Sequence, residues 1–405
     1  MDASEVFRVL EKSRDAMVQT LTDLCRIPAI GPTAGGEGEA EKAKRIEALL
    51  EGLGLKVERL DAPDDRAPSG KRPNLVARIG KGPKRLWLLT HMDVVPPGDR
   101  AAWRCDPFDP KVFDGRLYGR GVEDNGQALV ATLGAVKAVL EVAGTPARPV
   151  GLCFVSDEET GSEKGVQHLI GKGLFAKGDL LLAPDRGSSD GTEIEVAEKN
   201  LLWFRVAVHG KQGHGSRPEV AVNAARAGAY LVTLIDATLH KRFRATDPKF
   251  RPPGSTFEPT KRDANVPNVN TIPSEDAFCF DCRVLPTVKN KEVLEEVGSA
   301  LRGTEERFGV RCELQVLQDE SSPPTPEGAP IVGELQRALA AARGLKGRVV
   351  GIGGGTVAAH LRKAGFPAAV WETIDQTGHA ADENIRIENL VGDAKVYAAL
   401  MLGTR

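Results

Sequence analysis

The sequence predicts an α/β fold in which a mixed, mostly parallel sheet is flanked by helices and carries an inserted α+β unit. Short apolar runs alternate with helix-like stretches over the first half of the chain, which is typical of parallel sheets. Near Lys199 the order becomes strand, helix, strand, strand, helix, strand, as in a ferredoxin-like unit. The Pro-rich segment 321–330 then leads back to α/β character. We therefore expect residues 1–198 and 327–405 to form one domain, with residues 199–326 inserted into it.

The individual elements follow from the spacing of apolar residues. Val6, Leu10, Met17 and Leu21 recur at helical spacing and predict one helix over residues 4–25. Further helices are predicted at about 37–53, 126–142, 220–238, 291–308 and 331–343. The predicted strands of the main sheet include NLVARI (74–79), RLWLLT (85–90), VGLCFVS (150–156), DLLLAP (179–184) and AAVWETI (368–374).

The composition excludes several classes of protein. Lys and Arg total 54 against 56 Asp and Glu, for a net charge of −2, so the basic excess of a nucleic-acid binder is missing. The basic segment 241–262 is expected to be a solvated loop. With 41% hydrophobic and 27% charged residues, the chain can bury a sizeable core, and a mainly disordered state is excluded.

Targeting signals and cysteine usage predict a cytoplasmic protein. The N-terminal residues carry charges where a signal peptide needs an apolar core. The longest apolar stretch, 128–140, contains Lys137 and is too short to span a bilayer. Six scattered cysteines do not form a disulfide framework. Cys279 and Cys282 form a CxxC, but they lie on a predicted strand without a second CxxC, so we expect them to be packing residues.

Potential metal ligands gather near the ends of the predicted strands. Side chains at the carboxyl ends of parallel strands meet at one edge of the sheet, where α/β proteins bind ligands. The chain places there His91, Asp124 in GRGVEDNG, Glu159, Asp185 and His379. Each has a simpler alternative: a lone His is usually a satisfied polar residue, Glu159 suits a helix N-terminus, and Asp124 suits a helix cap. None of these alternatives explains why all five fall at the same edge.

A pair of divalent ions explains the shared position. Two ions about 3.5 Å apart need a bridging carboxylate and roughly one His and one further carboxylate each. Asp124 can bridge; His91 and Asp185 then complete one site, and Glu159 and His379 complete the other. Asp93 is predicted to accept the second ring N–H of His91. Glu158, left without an ion, is predicted to be the general base that takes a proton from a water bridging the two ions.

These motifs resemble those of a known family of co-catalytic metallohydrolases. HMDVVPPG, GRGVEDNG, SDEETGS, the PD at 184–185, GKQGHGSRP, NVNTIP, DCRVLP and GGGT followed by a late His occur in the family's order over nearly the whole chain. The family includes acetylornithine deacetylase, succinyl-diaminopimelate desuccinylase, aminoacylase-1 and the bacterial glutamate carboxypeptidase. The resemblance implies the same five ligands and the same base as the spacing argument.

The resemblance also implies features that the residues alone do not show. It implies a cis peptide between Asp124 and Asn125, and makes the inserted domain a lid and dimerisation domain. His214 would reach the partner subunit's site and stabilise the tetrahedral intermediate. Positions that hold a substrate carboxylate or oxyanion match Asn270, Arg283, Gly355 and Thr356. From the residues alone, GIGGGT is a tight turn, and a nucleotide loop is disfavoured because no acidic ribose partner follows.

Three positions depart from the commoner family pattern. Asp185 replaces Glu, which the family permits and which favours desuccinylase and carboxypeptidase members over aminoacylase-1. Gly215 stands where Ala or Ser is usual, and GHAADE replaces proline-containing surroundings of His379. The loop 244–257 is expected to contribute to specificity.

The predicted function is hydrolysis of an N-acyl amino acid by a homodimeric two-metal amidohydrolase of the succinyl-diaminopimelate desuccinylase or acetylornithine deacetylase type. The predicted ions are Zn²⁺, with Co²⁺ or Mn²⁺ fitting the same ligands. Carboxypeptidase or dipeptidase activity on a short peptide is the first alternative. An inactive metal-binding homologue is a second, although a free Glu158 argues against it. A nicotinamide dehydrogenase would rest on GIGGGT alone.

Overall fold

The structure is a computed structural model that describes residues 3–403. Its α-helices are, in chain order, α1 (Ser4–Lys12), α2 (Arg14–Cys25), α3 (Ala40–Gly52), α4 (Ala128–Ala143), α5 (Val166–Gly171), α6 (Ala224–Arg242), α7 (Asn290–Phe308), α8 (Pro330–Arg343), α9 (Val357–Lys363) and α10 (Ile387–Leu402). The strands are β1 (Val57–Arg59), β2 (Ala62–Pro63), β3 (Lys71–Arg72), β4 (Leu75–Ile79), β5 (Leu86–His91), β6 (Lys111–Phe113), β7 (Arg116–Tyr118), β8 (Val150–Val155), β9 (Leu180–Ser188), β10 (Glu193–Glu198), β11 (Asn200–His209), β12 (Gly213–His214), β13 (Thr256–Arg262), β14 (Thr271–Ile272), β15 (Glu275–Val284), β16 (Arg311–Glu320), β17 (Arg348–Ile352), β18 (Ala368–Thr373) and β19 (Asn384–Arg386).

The main sheet has eight strands in the order β1-β4-β8-β5-β9-β18-β10-β17. Its centre is parallel, because β5 pairs in parallel with β8 and β9, and β9 with β18. The expectation of a mostly parallel sheet flanked by helices is therefore confirmed. Strand β4, which the sequence placed among the parallel strands, runs antiparallel to β8. Residues 80–85 between β4 and β5 are too few for a crossover helix, so the chain must reverse direction there.

The chain divides into two compact units. Unit 1 comprises residues 3–196, Thr325–Val350 and 356–403, and unit 2 comprises Ala197–Pro324 and Gly351–Gly355. Segment Gly351–Gly355 thus packs with the inserted part of the chain although it comes later in sequence. Backbone hydrogen bonds from Lys199 N–H to the Ile352 carbonyl and from Gly351 N–H to the Lys249 carbonyl, both 2.9 Å, hold it there.

Helix α4 forms the buried centre of the helical layer in unit 1, where it packs against α1 and α10. Within the described residues, Val122–Ala143 is the stretch long and apolar enough to cross a membrane by length and composition, with a mean hydropathy of 1.4. However, 67% of that window is buried inside the structure, as in the core helix of a globular protein. Regular helix also begins only at Ala128, because Asp124 and Asn125 leave helical geometry.

The predicted N-terminal helix over residues 4–25 is wrong in one respect, because it is two helices. The break falls at Ser13, whose φ of −87° and ψ of 0° end α1 and precede α2. Serine competes with the helix for backbone hydrogen bonds, so it favours helix ends over helix interiors. The apolar spacing continues across the break because α1 and α2 both pack against α4 and α10.

Unit 2 is a two-layer α+β unit with the predicted order of elements. Its four-stranded antiparallel sheet has the order β13-β15-β11-β16. Helices α6 and α7 pack on one face, around a core that includes Phe204, Leu231 and Val297. On β15, Cys282 lies on the buried face and Cys279 is half-buried on the other. All six cysteines of the chain are free thiols.

Candidate metal centre

The five candidate ligands come from five different segments of unit 1. His91 is the last residue of β5, and Asp185 lies near the end of β9. Glu159 lies on a short 3₁₀ turn after β8, and His379 follows β18. Asp124 belongs to an irregular turn just before α4. Because β8, β5, β9 and β18 are parallel neighbours, their carboxyl ends bring these segments to one edge of the sheet.

Asp124 lies between the two histidines. Its Oδ1 is 2.8 Å from Nε2 of His91, and its Oδ2 is 3.3 Å from Nε2 of His379. Asp185 Oδ1 is 3.5 Å from His91 Nε2, and Glu159 Oε2 is 3.0 Å from His379 Nε2. The side chains thus form two sets, His91 with Asp185 and His379 with Glu159, and both share Asp124. Ligand atoms of His91, Asp124 and Glu159 all lie within 4.8 Å of one another.

The contact predicted between Asp93 and His91 has a different form in the structure. Nδ1 of His91 lies 3.0 Å from the backbone carbonyl of Asp93 and 3.6 Å from its carboxylate. The Asp93 carboxylate instead accepts the backbone N–H groups of Glu158 and Glu159, both at 3.1 Å. Burial raises the pKa of Asp93, but the hydrogen bonds outweigh this and hold it below its ordinary value. Asp93 therefore connects His91 to the turn that carries both glutamates.

Glu158 lies in this centre without a hydrogen-bond partner for its carboxylate in residues 3–403. The side chain is half-buried. Burial and the charge of Asp185 raise the pKa of Glu158 well above its ordinary value. Two cations placed nearby would favour its ionised form instead.

The GRGVEDNG turn has a structural reason for its glycines and its Asn. Gly121 has φ +76°, and a Cβ at Gly126 would lie 2.3 Å from the Gly121 carbonyl oxygen. Asn125 accepts the His91 backbone N–H at 3.3 Å and donates to the Pro184 carbonyl at 2.6 Å, so it connects the ends of β5 and β9. The Asp124–Asn125 peptide is cis, as the family resemblance implied.

Two buried glutamates that the sequence analysis did not single out hold the Asp124 turn and the His379 loop together. Glu123 accepts the backbone N–H groups of Asp375 and Gly378, at 2.8 and 2.7 Å. In return, Glu383 accepts those of Gly121 and Asp124, both at 3.0 Å. Each loop thus supplies the acceptor for the other loop's backbone. In the sequence, these two glutamates stand out only by lying close to the candidate ligands Asp124 and His379.

We expect Glu383→Gln to lower the free energy of unfolding by about 3 kcal/mol, the cost of breaking a buried charged pair. Glu383 is fully buried, binds Arg120 at 2.5 Å and also accepts the Glu123 N–H at 2.9 Å. A glutamine would turn an NH₂ group toward the N–H donors that now face one carboxylate oxygen. Urea unfolding measures the change. The exposed Glu388→Gln is the matched control, and equal stability of the two variants would contradict the role of Glu383.

The donor set fits two hard or borderline divalent cations. Asp124, Glu158, Glu159 and Asp185 bring four carboxylates into one small region, and like charges at such distances disfavour ionisation unless cations balance them. Glu159 Oε1 is buried and has no hydrogen-bond partner within the described chain. Imidazole and carboxylate together suit Zn²⁺, Co²⁺ or Mn²⁺. The residues present therefore fit a pair of such ions.

Metal loading at pH 7 is expected to release a proton from each of His91 and His379, because imidazole must be neutral to bind a metal. Hydrogen bonds that the ring of His379 donates to Asp124 and Glu159 raise its pKa to about 10. Burial lowers the pKa of His91, but Asp124 and Asp185 hold it well above its ordinary value. Both shifts favour the protonated rings in the metal-free protein, so metal affinity should fall as the pH falls.

Calorimetry in two buffers of different protonation enthalpy counts these protons. His379→Gln should release about one proton fewer, because its single imidazole is lost, whereas the exposed His240→Gln should match the wild type. Metal binding with no proton release would contradict the assignment of both histidines.

In unit 2, the structure brings His214 and Asn270 together on a short two-stranded arm. His214 pairs with Thr271 across β12 and β14, and the Gly215 N–H donates to the Asn270 carbonyl at 2.7 Å. Nδ1 of His214 lies 2.8 Å from Oγ of Ser216. Both His214 and Asn270 are exposed.

Arg283 lies in unit 2 beside the glycine loop, but much of its guanidinium is engaged. Nε and Nη2 bind the Asp281 carboxylate at 2.7 and 3.0 Å, and Nη1 donates to the Gly353 carbonyl at 2.9 Å. Gly355 is exposed in the same unit, whereas Thr356 is buried in unit 1, where its hydroxyl accepts the Ala358 N–H at the start of α9. Arg283 thus retains only part of its donor capacity for a substrate.

The loop 244–257, which the sequence analysis expects to contribute to specificity, is held within unit 2 by the buried Lys199. Nζ of Lys199 donates to the Pro252 carbonyl at 2.9 Å and to the Gly254 carbonyl. The predicted solvated loop 241–262 is mostly exposed, but its first two residues end α6 and its last seven form β13.

Comparison with known proteins decides the family. Residues 87–403, which include all five candidate ligands, match the model of peptidase family M20/M25/M40. The chain belongs to this family. It is thus a metal-dependent hydrolase of the M20 type, in agreement with the motif resemblance.

Relatives and solved structures cover almost the whole M20 chain. It is 36% identical over 398 residues to an uncharacterized metallohydrolase of Methanocaldococcus jannaschii, covering 94% of this chain and 97% of that protein. It is 30% identical over 391 residues to the succinyl-diaminopimelate desuccinylase of Rhodospirillum centenum, covering 94% and 95%. The crystal structure of aminopeptidase PepT from Bacillus cereus shares the fold, with a TM-score of 0.78 at 20% identity over 96% of this chain and 98% of that one.

Proposed function

We propose that this M20 hydrolase cleaves the amide bond of an N-acyl amino acid with two divalent ions, most favourably Zn²⁺. The observation that carries the proposal is the shared carboxylate of Asp124, whose two oxygens face different histidines. His91 and Asp185 would hold one ion, and Glu159 and His379 the other. Bound there, the ions would polarise an amide carbonyl and lower the pKa of water beside them.

The chain supplies the proton transfer through Glu158. Its carboxylate has no hydrogen-bond partner within residues 3–403, and its backbone N–H is held by Asp93. Glu158 takes a proton from the attacking water and returns it to the leaving amine. Asp93 positions this base and His91 together.

The preferred substrate is an N-succinyl or N-acetyl amino acid. Support comes from the 30% identity to a desuccinylase and from Asp185 in place of Glu. A carboxypeptidase or dipeptidase activity is the second candidate, favoured by the fold shared with a dipeptidase and with a metallo-carboxypeptidase. Both activities need the same centre and a group that binds a carboxylate.

A hydrolysis screen of the zinc-loaded protein tests the proposal. N-succinyl-diaminopimelate, N-acetylornithine, other N-acyl amino acids and dipeptides would be assayed with and without a chelator. We expect one N-acyl class to be hydrolysed fastest and the chelator to abolish its turnover. Faster cleavage of dipeptides would favour the peptidase, and chelator-resistant turnover would contradict the metal dependence.

We further propose that the protein is a cytoplasmic homodimer formed through unit 2, with His214 completing the partner's site. Strand β16 lies at the edge of its sheet and exposes Val316 and Leu317, as an interface strand would. Light scattering of the purified protein should give twice the chain mass. A monomer that retains full activity would contradict this proposal.

A further inference from the structure

Arg186, directly after the candidate ligand Asp185, lies on an irregular part of β9. In the pairing of β9 with β18, Ala183 is opposite Val370 and Gly187 is opposite Glu372. Three residues, Pro184, Asp185 and Arg186, therefore stand opposite Trp371 alone. Such a bulge interrupts the alternation of side chains between the two faces of a sheet, so it re-aims them. Asp185 and Arg186 are thus not forced onto opposite faces.

Arg186 follows the candidate ligand Asp185 directly in β9, near the sheet edge where the candidate ligands lie. Its side chain is half-buried. Burial lowers its pKa, but the carboxylates of Asp185 and Asp124, and then those of both glutamates of the centre, hold the pKa of Arg186 above its ordinary value. The effect is mutual, because Arg186 also helps to lower the pKa of Asp124.

Arg186 has no hydrogen bond or ion pair within 4 Å among residues 3–403, unlike the fully buried arginines of unit 1. Arg72 binds Glu39, Arg120 binds Glu383 and Arg362 binds Glu195. The guanidinium of Arg186 therefore remains available to bind a ligand. A planar guanidinium binds a carboxylate through two parallel hydrogen bonds.

The charges of the centre indicate what kind of ligand the Arg186 guanidinium would bind. Two divalent ions would offset the carboxylates of Asp124, Glu158, Glu159 and Asp185, which would weaken the attraction of these carboxylates for Arg186. An anionic group is then favoured next to the reacting amide. Arg283, the residue that the family resemblance implies for this role, is already bound to Asp281.

We propose that Arg186 binds a carboxylate of the substrate beside the metal centre, an inference that rests on the proposed amide hydrolysis. The carboxylate belongs either to a dicarboxylic acyl group such as succinyl or to the C-terminal end of the amino acid. Arg186 is thus a specificity-determining residue for an anionic substrate.

The test compares Arg186→Gln with the exposed Arg8→Gln, using zinc-loaded protein. The substrates are an N-succinyl amino acid, the N-acetyl form of the same amino acid, and the N-acetyl amino acid amide. Loss of a charged hydrogen-bond pair should lower kcat/KM by about 10- to 100-fold. A loss confined to the succinyl substrate places the carboxylate on the acyl group, and a loss for both acids but not the amide places it on the amino acid.

The dissociation constant for succinate and the zinc content, both measured by equilibrium dialysis, provide readouts independent of turnover. We expect succinate binding to weaken about 10-fold or more in Arg186→Gln, with two zinc ions retained. Unchanged succinate binding together with unchanged kcat/KM on both acids, or an equal loss of activity on all three substrates together with loss of zinc, would overturn the proposal. If the wild type hydrolysed none of these amides, the proposed function would fail, while succinate binding would still decide the role of Arg186.

Discussion

Glu158→Gln is expected to lower kcat by about 10³-fold, within the range for loss of a general base, while both metal ions stay bound. Within the described residues, the Glu158 carboxylate forms no ion pair with His91 or His379 and has no hydrogen-bond partner. Glutamine keeps the size of the side chain but cannot accept a proton from water. Metal content by mass spectrometry and kcat on the best substrate of the screen measure the two effects separately.

Glu163→Gln, five residues further along the same loop, is the matched control for this substitution. Glu163 is 73% exposed and, among residues 3–403, pairs only with Lys164, so its variant should behave as the wild type. Loss of zinc from Glu158→Gln would make Glu158 a ligand instead of a base. Activity close to that of the control would contradict its role altogether.

Asp124→Asn is expected to remove at least one metal ion and to weaken metal binding by about 100-fold or more. This exceeds the loss of about 10- to 100-fold in metal affinity that follows removal of a residue that only hydrogen-bonds a metal ligand. Each Asp124 oxygen faces a different histidine. An amide offers one neutral oxygen and an NH₂ group, so one of the two sets must lose its shared acceptor. Activity should fall with the metal content.

Dialysis of Asp124→Asn against low zinc, followed by metal analysis, measures this loss. The exposed Asp65→Asn carries the same chemical change away from the centre and should retain two ions. Retention of both ions at wild-type affinity in Asp124→Asn would show that Asp124 does not bridge them.

The positions of the candidate ligands could be predicted because they depend on a simple property of parallel sheets. His91, Asp185 and the glutamates follow strands that are neighbours in space, so their order in the sequence already placed them at one edge. The assignment of Glu159 as a ligand and Glu158 as the base stays a prediction, which rests on the limited set of donors that two ions need.

The supporting contacts could not be predicted because they depend on where backbone groups lie in three dimensions. Glu123 and Glu383 bind N–H groups some 250 to 260 residues away in the chain, and no spacing rule connects them. Arg186 depends on a bulge in β9, which apolar periodicity does not reveal. Asp93 was assigned to the right neighbourhood, but its carboxylate binds the backbone of Glu158 and Glu159.

Anomalous diffraction at the zinc edge from crystals of the zinc-loaded protein tests the central claim most directly. We expect two peaks about 3.5 Å apart, as in two-metal hydrolytic sites. Both should contact Asp124, one together with His91 and Asp185 and the other together with Glu159 and His379. A single peak, or peaks away from these five side chains, would contradict the two-metal centre.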